Sequence, residues 1–186
     1  MSNNNDILKK FITEQVELML KEGEGDFARL GLEIEWQVDK LQDYVHVALI
    51  VKNQEEWLKQ HGYSSGMPEN REAGFLMLSR EEIIKGTCME NVQALHDEVF
   101  GGEGPPNVWA VASAGLRLPG LQNQGLGTQM YLKAFEAVAP AIVVADKCAG
   151  GSTSSSAERV WSSLKRRFPH KGKSAGDLAF AITGKG

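Results

Sequence analysis

Apolar residues change from helical to strand-like spacing along the first third of the chain. Their recurrence at helical spacing predicts a first helix over residues 6–21. Over residues 30–39 apolar and polar side chains alternate, which predicts a half-buried strand with one polar face. A second apolar segment, 43–52, follows a short polar turn, so we expect these strands to pair as an antiparallel hairpin. A short helix over 53–62 and a loop over 63–72 are expected next.

The middle of the chain predicts one more strand and one more helix. Residues 73–78 form a short, mostly apolar run, as in a strand. Ser79 followed by Glu82 is a capping-box pattern, so we expect a helix to begin there, with Gly86 weakening its middle. Residues 101–106, GGEGPP, form a stiff, turn-rich connection that is too short to be a domain linker.

Strands and helices are predicted to alternate in the last third. Strands are expected over 107–118, 141–146 and 177–183, and the continuous apolar run 141–146 indicates burial on both faces. Helices are expected over 126–139 and 155–167. Antiparallel strands followed by alternating strands and helices predict a single α/β domain with a mixed sheet over the whole chain of 186 residues.

The composition is that of an ordinary globular protein, with 42% apolar and 24% charged residues. A protein with a net charge of −4 is not expected to have the broad basic surface of a nucleic-acid binder. We therefore do not expect a nucleic-acid partner. The sequence has no apolar run long enough to predict a membrane span. The polar N-terminus does not have the pattern of a signal peptide. Cys88 and Cys148 lack metal-type spacing and are expected to be free thiols, which favours a cytoplasmic location.

A glycine-rich loop lies between the predicted strand 107–118 and the helix 126–139. Such a turn leaves backbone N–H groups unsatisfied at the helix N-terminus, and the helix dipole adds partial positive charge there. Phosphate or pyrophosphate binds at such a terminus, and Gly125 and Gly127 let a ligand approach the backbone closely. The loop has no Lys or Arg, with Arg117 just upstream, so we expect backbone dipoles to supply most of the neutralisation.

Two common phosphate-binding motifs do not match this loop. A P-loop needs a lysine directly after its second glycine, and none is present. A dinucleotide-binding G-x-G-x-x-G needs a third glycine where Met130 stands. Asp146 lies at about the distance of that motif's acid, but an acid alone is weak support. Neither motif accounts for the loop.

Residues 122–127, QNQGLG, fit the pattern Q/R-x-x-G-x-G/A, and here the chain resembles the GNAT superfamily of N-acetyltransferases. Pro119 stands where that family often has proline, and the order of elements over 107–183 is also similar to the family. The helix 155–167, with SSSAERVW at its start, is similar to the family's N-x-x-A-x-x-x-Y pattern. This helix and the LKRRFP at its end are also similar to small acetyltransferases encoded by bacteriophages.

The resemblance implies a GNAT-like fold, with a mixed, mostly antiparallel central sheet flanked by helices, in which 107–183 binds acetyl-CoA. It implies an enzyme that transfers the acetyl group of acetyl-CoA to an amine, while the backbone of 116–128 holds the pyrophosphate. No metal is implied. The residues that the resemblance places at the acetyl-CoA site are Leu116, Arg117, Leu118, Gln122, Asn123, Gln124, Gly125, Leu126, Gly127, Thr128, Ser154 and Trp161.

Three features depart from the family pattern. Aligning Ala157 with the family's alanine puts Trp161 where a tyrosine often protonates the leaving thiolate, and indole is no usable acid near neutral pH. Trp161 can pack on the pantetheine arm of the cofactor, although a core position is the simpler expectation. Ser154 stands in place of an asparagine and can still hydrogen-bond the cofactor's amides. Only one closing strand, 177–183, is recognisable, whereas the family tends to have two.

Several residues are candidates for the general base. Glu33 and Glu35 share one side of the first predicted strand. His46 lies on the next strand, and histidine is the residue type that suits acid–base chemistry near neutral pH. Asp146 follows a buried strand, where α/β proteins often place functional groups. A solvated strand face, an ordinary histidine and a turn cap are the simpler explanations. A nucleophilic Cys148 would want a histidine partner, and none is near it in sequence.

The partners also stay open. Residues 165–167, KRR, could contact the 3′-phosphate of the cofactor or nucleic acid, although a solvated helix end stabilised by the dipole is simpler. The acceptor amine belongs to a protein or a small molecule, and the acidic balance favours a cationic one. The main alternative is a catalytically inactive GNAT-fold protein that binds CoA or another protein. A loop that only starts a helix, a nucleotide site of another class, and a homodimer are also open.

Overall fold

The computed structural model describes residues 30–63, 72–81, 87–118, 120–122, 124–167, 172–174 and 179–182. The helix expected over 6–21 and most of the loop expected over 63–72 lie outside them. No helix within the described residues is long and apolar enough to cross a membrane. The described elements are β1 (Ile34–Lys40), β2 (Tyr44–Val51), α1 (Gln54–Gln60), β3 (Glu72–Arg80), α2 (Thr87–Phe100), β4 (Val108–Leu116), α3 (Leu126–Val138), β5 (Ile142–Val144), a 3₁₀ turn (Asp146–Ala149), α4 (Ser155–Arg167), β6 (Gly172–Ser174) and β7 (Ala179–Ile182).

The described strands form one mixed sheet in the order β1-β2-β3-β4-β5-β7-β6. Strands β1 to β4 pair antiparallel, β4 and β5 pair parallel, and β5, β7 and β6 pair antiparallel again. The predicted hairpin is confirmed, with Ile34 opposite Val51 and Lys40 opposite Val45. The expected α/β class with a mixed, mostly antiparallel sheet is confirmed as well.

The two edges of the sheet differ from the expectation. β1 starts at Ile34 rather than at residue 30. Its Val38 is 42% exposed, because β1 has a neighbouring strand on one side only in the described sheet. At the other edge, two short strands, β6 and β7, replace the one closing strand that was expected. The sequence of β6 has no apolar alternation, so no pattern indicated it.

Ser79 does not begin a helix. It lies inside β3, opposite Tyr44 of β2 and Ala110 of β4. Its hydroxyl donates to a carboxylate oxygen of Glu81 at 3.1 Å. Pairing with strands on both sides therefore overrides the local capping-box pattern, and the described part of the next helix starts at Thr87.

Alternate residues of β4 and β5 divide the core into two layers. Trp109 and Val143 belong to the cluster formed with α3 and α4, whereas Ile142 and Val144 belong to the cluster formed with α2. Because successive strand side chains point to opposite faces, α3 and α4 cover one face of the sheet and α2 covers the other. The burial of 142–145 confirms the prediction that this apolar run is enclosed on both faces.

Cys88, in the first turn of α2, and Cys148, in the turn after β5, form a disulfide. The prediction of free thiols was therefore wrong. The two cysteines are separated by 60 positions and meet because α2 packs across β5. Such a pair is closed by tertiary packing, and its spacing in the sequence gives no sign of it.

Candidate functional site

β5 pairs with only part of β4. Residues 108–110 of β4 lie opposite Ile142–Val144, and β5 then ends. β4 continues to Leu116 beside β3, so the other edge of 111–116 has no strand partner in the described sheet. The side chains of 112–114 are exposed. Backbone N–H and C=O groups along such an edge are available to an extended ligand.

Leucines anchor the loop that follows β4, while the side chains of Gln122 and Gln124 lie in solvent. Leu118, Leu121 and Leu126 are fully buried and belong to one core cluster. A loop anchored at three points holds its backbone groups in one arrangement, which is what a binding site requires.

The two glycines at the start of α3 have different roles. Gly125 precedes the helix with a φ of +80°, a left-handed conformation that favours glycine, and its carbonyl accepts the Gln129 N–H at 3.2 Å. A Cβ on Gly127 would lie 3.1 Å from Val160 Cγ2, so Gly127 allows α4 to approach α3. The first N–H groups of α3 have no intrahelical partner and carry the positive end of the dipole.

A cavity of about 420 Å³ lies between this loop and α4. Two guanidinium groups line it, and no carboxylate does so among the described residues. Its charge therefore favours an anion, in a protein whose net charge is −4. The cavity is lined by Leu116, Gln122, Gly125, Gly127 and Thr128, all of which the sequence placed at the acetyl-CoA site, and by Ser156, Arg159, Val160, Ser163 and Arg166 of α4.

The arginines of α4 add cations that the loop itself lacks. Arg159 was not among the predicted site residues, and Arg166 was noted only as part of the basic run 165–167. A signal was present, because Ser156, Arg159, Ser163 and Arg166 recur at helical spacing and share one side of α4. Which side faces the loop depends on the contact of Val160 with α3, and that contact is a result of packing.

Several predicted residues do not line the cavity. Arg117 lies 3.2 Å from a carboxylate oxygen of Glu72, with its guanidinium 4.5 Å from the centroid of the Phe75 ring. The Ser154 hydroxyl accepts the Ala157 N–H at 3.2 Å and so caps α4. Of the rest, Leu118 and Leu126 are core residues, Gln124 is exposed outside the cavity lining, and Asn123 lies outside the described residues.

Trp161 is a core residue, 4% exposed. Its ring meets Tyr131 edge to face, with centroids 5.2 Å apart, and packs near Phe135 at 6.1 Å. The Tyr131 hydroxyl is buried without a hydrogen-bond partner in the described residues. Burial, followed by the charge of Asp146, raises the pKa of Tyr131. A phenol with a raised pKa stays protonated and is a poor acid, so neither ring offers a general acid for a leaving thiolate.

The two glutamates considered as bases lie near the β1 edge of the sheet. Glu35 is 2.9 Å from the ammonium of Lys52, which lowers the pKa of Glu35 through a hydrogen bond and charge attraction. Glu33 is exposed, and its own backbone N–H donates to the Asn53 side chain at 2.9 Å. Neither glutamate lines the cavity.

A buried carboxylate, Glu72, was missed by the sequence analysis because no pattern marks it. Its side chain is 9% exposed, and its two oxygens lie 3.2 Å from Arg117 Nη1 and 3.6 Å from His46 Nε2. His46 thus lies beside Glu72 on the sheet and does not line the cavity. Asp146 accepts the Ser152 N–H at 3.1 Å, in agreement with a role as a turn cap.

No protein-family model matches the chain, and no curated protein matches it. Among the described residues, no three His, Cys, Asp or Glu side chains converge to hold a metal. The interpretation of the site therefore depends on its own geometry. That geometry is an edge of β4 without a strand partner among the described residues, beside a positively charged cavity at the N-terminus of a helix.

Proposed function

We propose that the protein is an N-acetyltransferase of the GNAT type that transfers the acetyl group of acetyl-CoA to an amine. The observation that carries the proposal is the continuity of the β4 edge 111–116, which has no strand partner among the described residues, with the cavity at 125–128; Leu116 belongs to both. Acetyl-CoA has a diphosphate joined to an extended arm with two amides and a thioester. The cavity suits the diphosphate, and the strand edge suits the amides.

The residues of the chain would contribute mainly by holding the reactants. The N–H groups at the start of α3, with Arg159, would hold the diphosphate. A backbone N–H of the β4 edge would donate to the thioester carbonyl and stabilise the oxyanion that forms when the amine attacks. Positioning of the two reactants would supply most of the acceleration. The amine would lose its proton to water or to a base.

The acceptor is a protein amine or a small molecule. The net charge of −4 supports a cationic acceptor, because an acidic surface attracts it. The free thiols that favoured a cytoplasmic location are not present, because Cys88 and Cys148 form a disulfide. Disulfides are uncommon in reducing compartments, so the disulfide weighs against that location.

One observation favours the alternative, a catalytically inactive GNAT-fold protein that binds CoA or another protein. Trp161, at the position where the family often has its acid, is enclosed in the core. Release of free CoA thiol from acetyl-CoA in the presence of a panel of amines separates the two functions. Turnover with any amine supports an active acetyltransferase. Tight binding of acetyl-CoA without turnover supports the inactive binding protein.

Calorimetric titration with acetyl-CoA, beside ATP and NAD, tests the proposal directly. We expect micromolar binding of acetyl-CoA that Gly125→Glu abolishes, because the new carboxylate would lie at the anion site. Gly101→Glu is a matched control, since Gly101 has a φ of +79°, has open space at its Cβ as Gly125 does, and does not line the cavity. Failure of the wild-type protein to bind acetyl-CoA would overturn the proposal.

A further inference from the structure

The arginines of α4 are spaced for two separate phosphate groups. Arg159 and Arg166 are seven residues apart, which places them on the same side of the helix and about 10 Å apart along its axis. A guanidinium of Arg159 is held by the Ser156 hydroxyl at 3.0 Å, one turn toward the start of the helix and away from Arg166. The two cations are therefore directed at different parts of the cavity.

Their neighbours assign one arginine to each phosphate. Arg159 adjoins Val160, the residue that contacts α3 at Gly127, so Arg159 lies beside the helix N-terminus that suits a diphosphate. Arg166 lies two turns further along, beside Ser163 in the cavity lining, and makes no ion pair or hydrogen bond with another described residue. The dipole accounts for a cation at the end of α4, but it does not require that cation to face the cavity.

We infer that Arg166 binds a phosphate monoester that is separated by a ribose from the diphosphate held near Arg159. This inference rests on the proposed function, in which the monoester is the 3′-phosphate of CoA. Arg166 would then be a specificity-determining residue that distinguishes CoA from dephospho-CoA. Ser163, lining the cavity one turn before it, can add a hydroxyl donor to the same phosphate.

Calorimetric titration of the full chain with CoA and with dephospho-CoA separates this inference from the proposed function. We expect CoA to bind about tenfold more tightly than dephospho-CoA, as one charge-assisted contact with phosphate provides. Arg166→Gln should weaken the binding of CoA about tenfold and leave that of dephospho-CoA unchanged. Arg159→Gln should weaken the binding of both compounds equally, because the diphosphate is common to them.

Lys165→Gln is the charge-matched control, because Lys165 is adjacent to Arg166 and does not line the cavity. It should change either affinity by less than about twofold, since an exposed charge outside the site is screened by salt. Near-ultraviolet circular dichroism checks that each variant is folded.

Each contrary result has a distinct meaning. Equal binding of CoA and dephospho-CoA, or an equal effect of Arg166→Gln on both, overturns the inference and leaves the proposed function standing. Binding of neither compound overturns both. NADP also carries a diphosphate and a separate phosphate monoester, and tighter binding of NADP than of CoA would overturn the assignment to CoA.

Discussion

The two halves of β4 share a neighbour on one side and differ on the other. Residues 108–110 lie between β3 and β5 and are buried within the two-layer core. Residues 112–114 lie beside β3 alone in the described sheet, and their side chains are exposed. Whether a segment of strand is structural or available to a ligand thus depends on where its neighbouring strand ends.

The comparison also separates the sources of stability from the proposed site. The disulfide and the α2 cluster lie around β5 and the first half of β4. The cavity and the loop adjoin the second half. Changes around the paired half should therefore reduce stability with little effect on binding, and changes along the unpaired half should do the reverse.

The largest effect on stability is expected from loss of the disulfide. Replacing both cysteines, Cys88→Ser with Cys148→Ser, opens a link between positions 60 residues apart, which should lower the free energy of unfolding by about 4 kcal/mol. Urea denaturation of the oxidised protein and of the variant measures the difference. Acetyl-CoA affinity at low temperature should not change. If the free energy of unfolding falls by less than about 1 kcal/mol, the disulfide does not strongly constrain the unfolded chain.

A cavity at the paired half should have the next largest effect. Ile142 of β5 lies opposite Val108 of the paired half and is fully buried, so Ile142→Ala should lower the free energy of unfolding by about 3 kcal/mol. Ser113→Ala, in the unpaired half, should change it by less than about 0.5 kcal/mol. Equal effects of the two substitutions in urea denaturation would contradict the division of β4 into two halves.

A bulky side chain on the unpaired half should affect binding instead of stability. Ala114 is exposed and lies opposite Leu76, whose side chain faces α3 and α4. Ala114→Phe should weaken acetyl-CoA binding at least about tenfold by filling the space beside the strand edge. The urea midpoint should stay unchanged. Unchanged affinity in calorimetry would show that the arm of the ligand does not follow this edge.

The smallest effect is expected at Tyr131, which lies in the core cluster formed with α3 and α4. Its hydroxyl is buried without a partner in the described residues, so Tyr131→Phe should raise the free energy of unfolding by about 1 kcal/mol. The raised pKa of Tyr131 means that the folded state keeps the proton that the unfolded state loses above about pH 10. Stability should therefore fall as pH rises above that point, and Tyr131→Phe should reduce the slope. A destabilised variant would reveal a partner for the hydroxyl.

The sequence predicted those elements whose periodicity is set by burial. The α3 and α4 helices and the run 142–145 were recognisable because each buries a regular apolar pattern. Ser79 and the short strand β6 were not, because their conformations depend on pairing with distant strands. The same limit applies to the disulfide.

The candidate site was predictable only in its local part. The loop from Gln122 to Thr128 could be recognised because a glycine-rich turn before a helix has a known chemistry. Two features are results of packing: the end of β5 at Val144, which leaves one edge of 111–116 without a strand partner among the described residues, and the side of α4 that carries Arg159. The sequence therefore indicated an anion site, offered Arg166 only as one alternative within the basic run 165–167, and did not indicate Arg159.

Hydrogen–deuterium exchange with and without acetyl-CoA tests the central claim most directly, because it reads the two halves of β4 in one experiment. We predict that saturating acetyl-CoA slows exchange in peptides covering 111–116 and 125–128, while 108–110 stays equally slow in both states. Slower exchange at the loop and the unpaired half alone would support a ligand paired along the strand edge. Unchanged exchange over 111–116 would contradict the account.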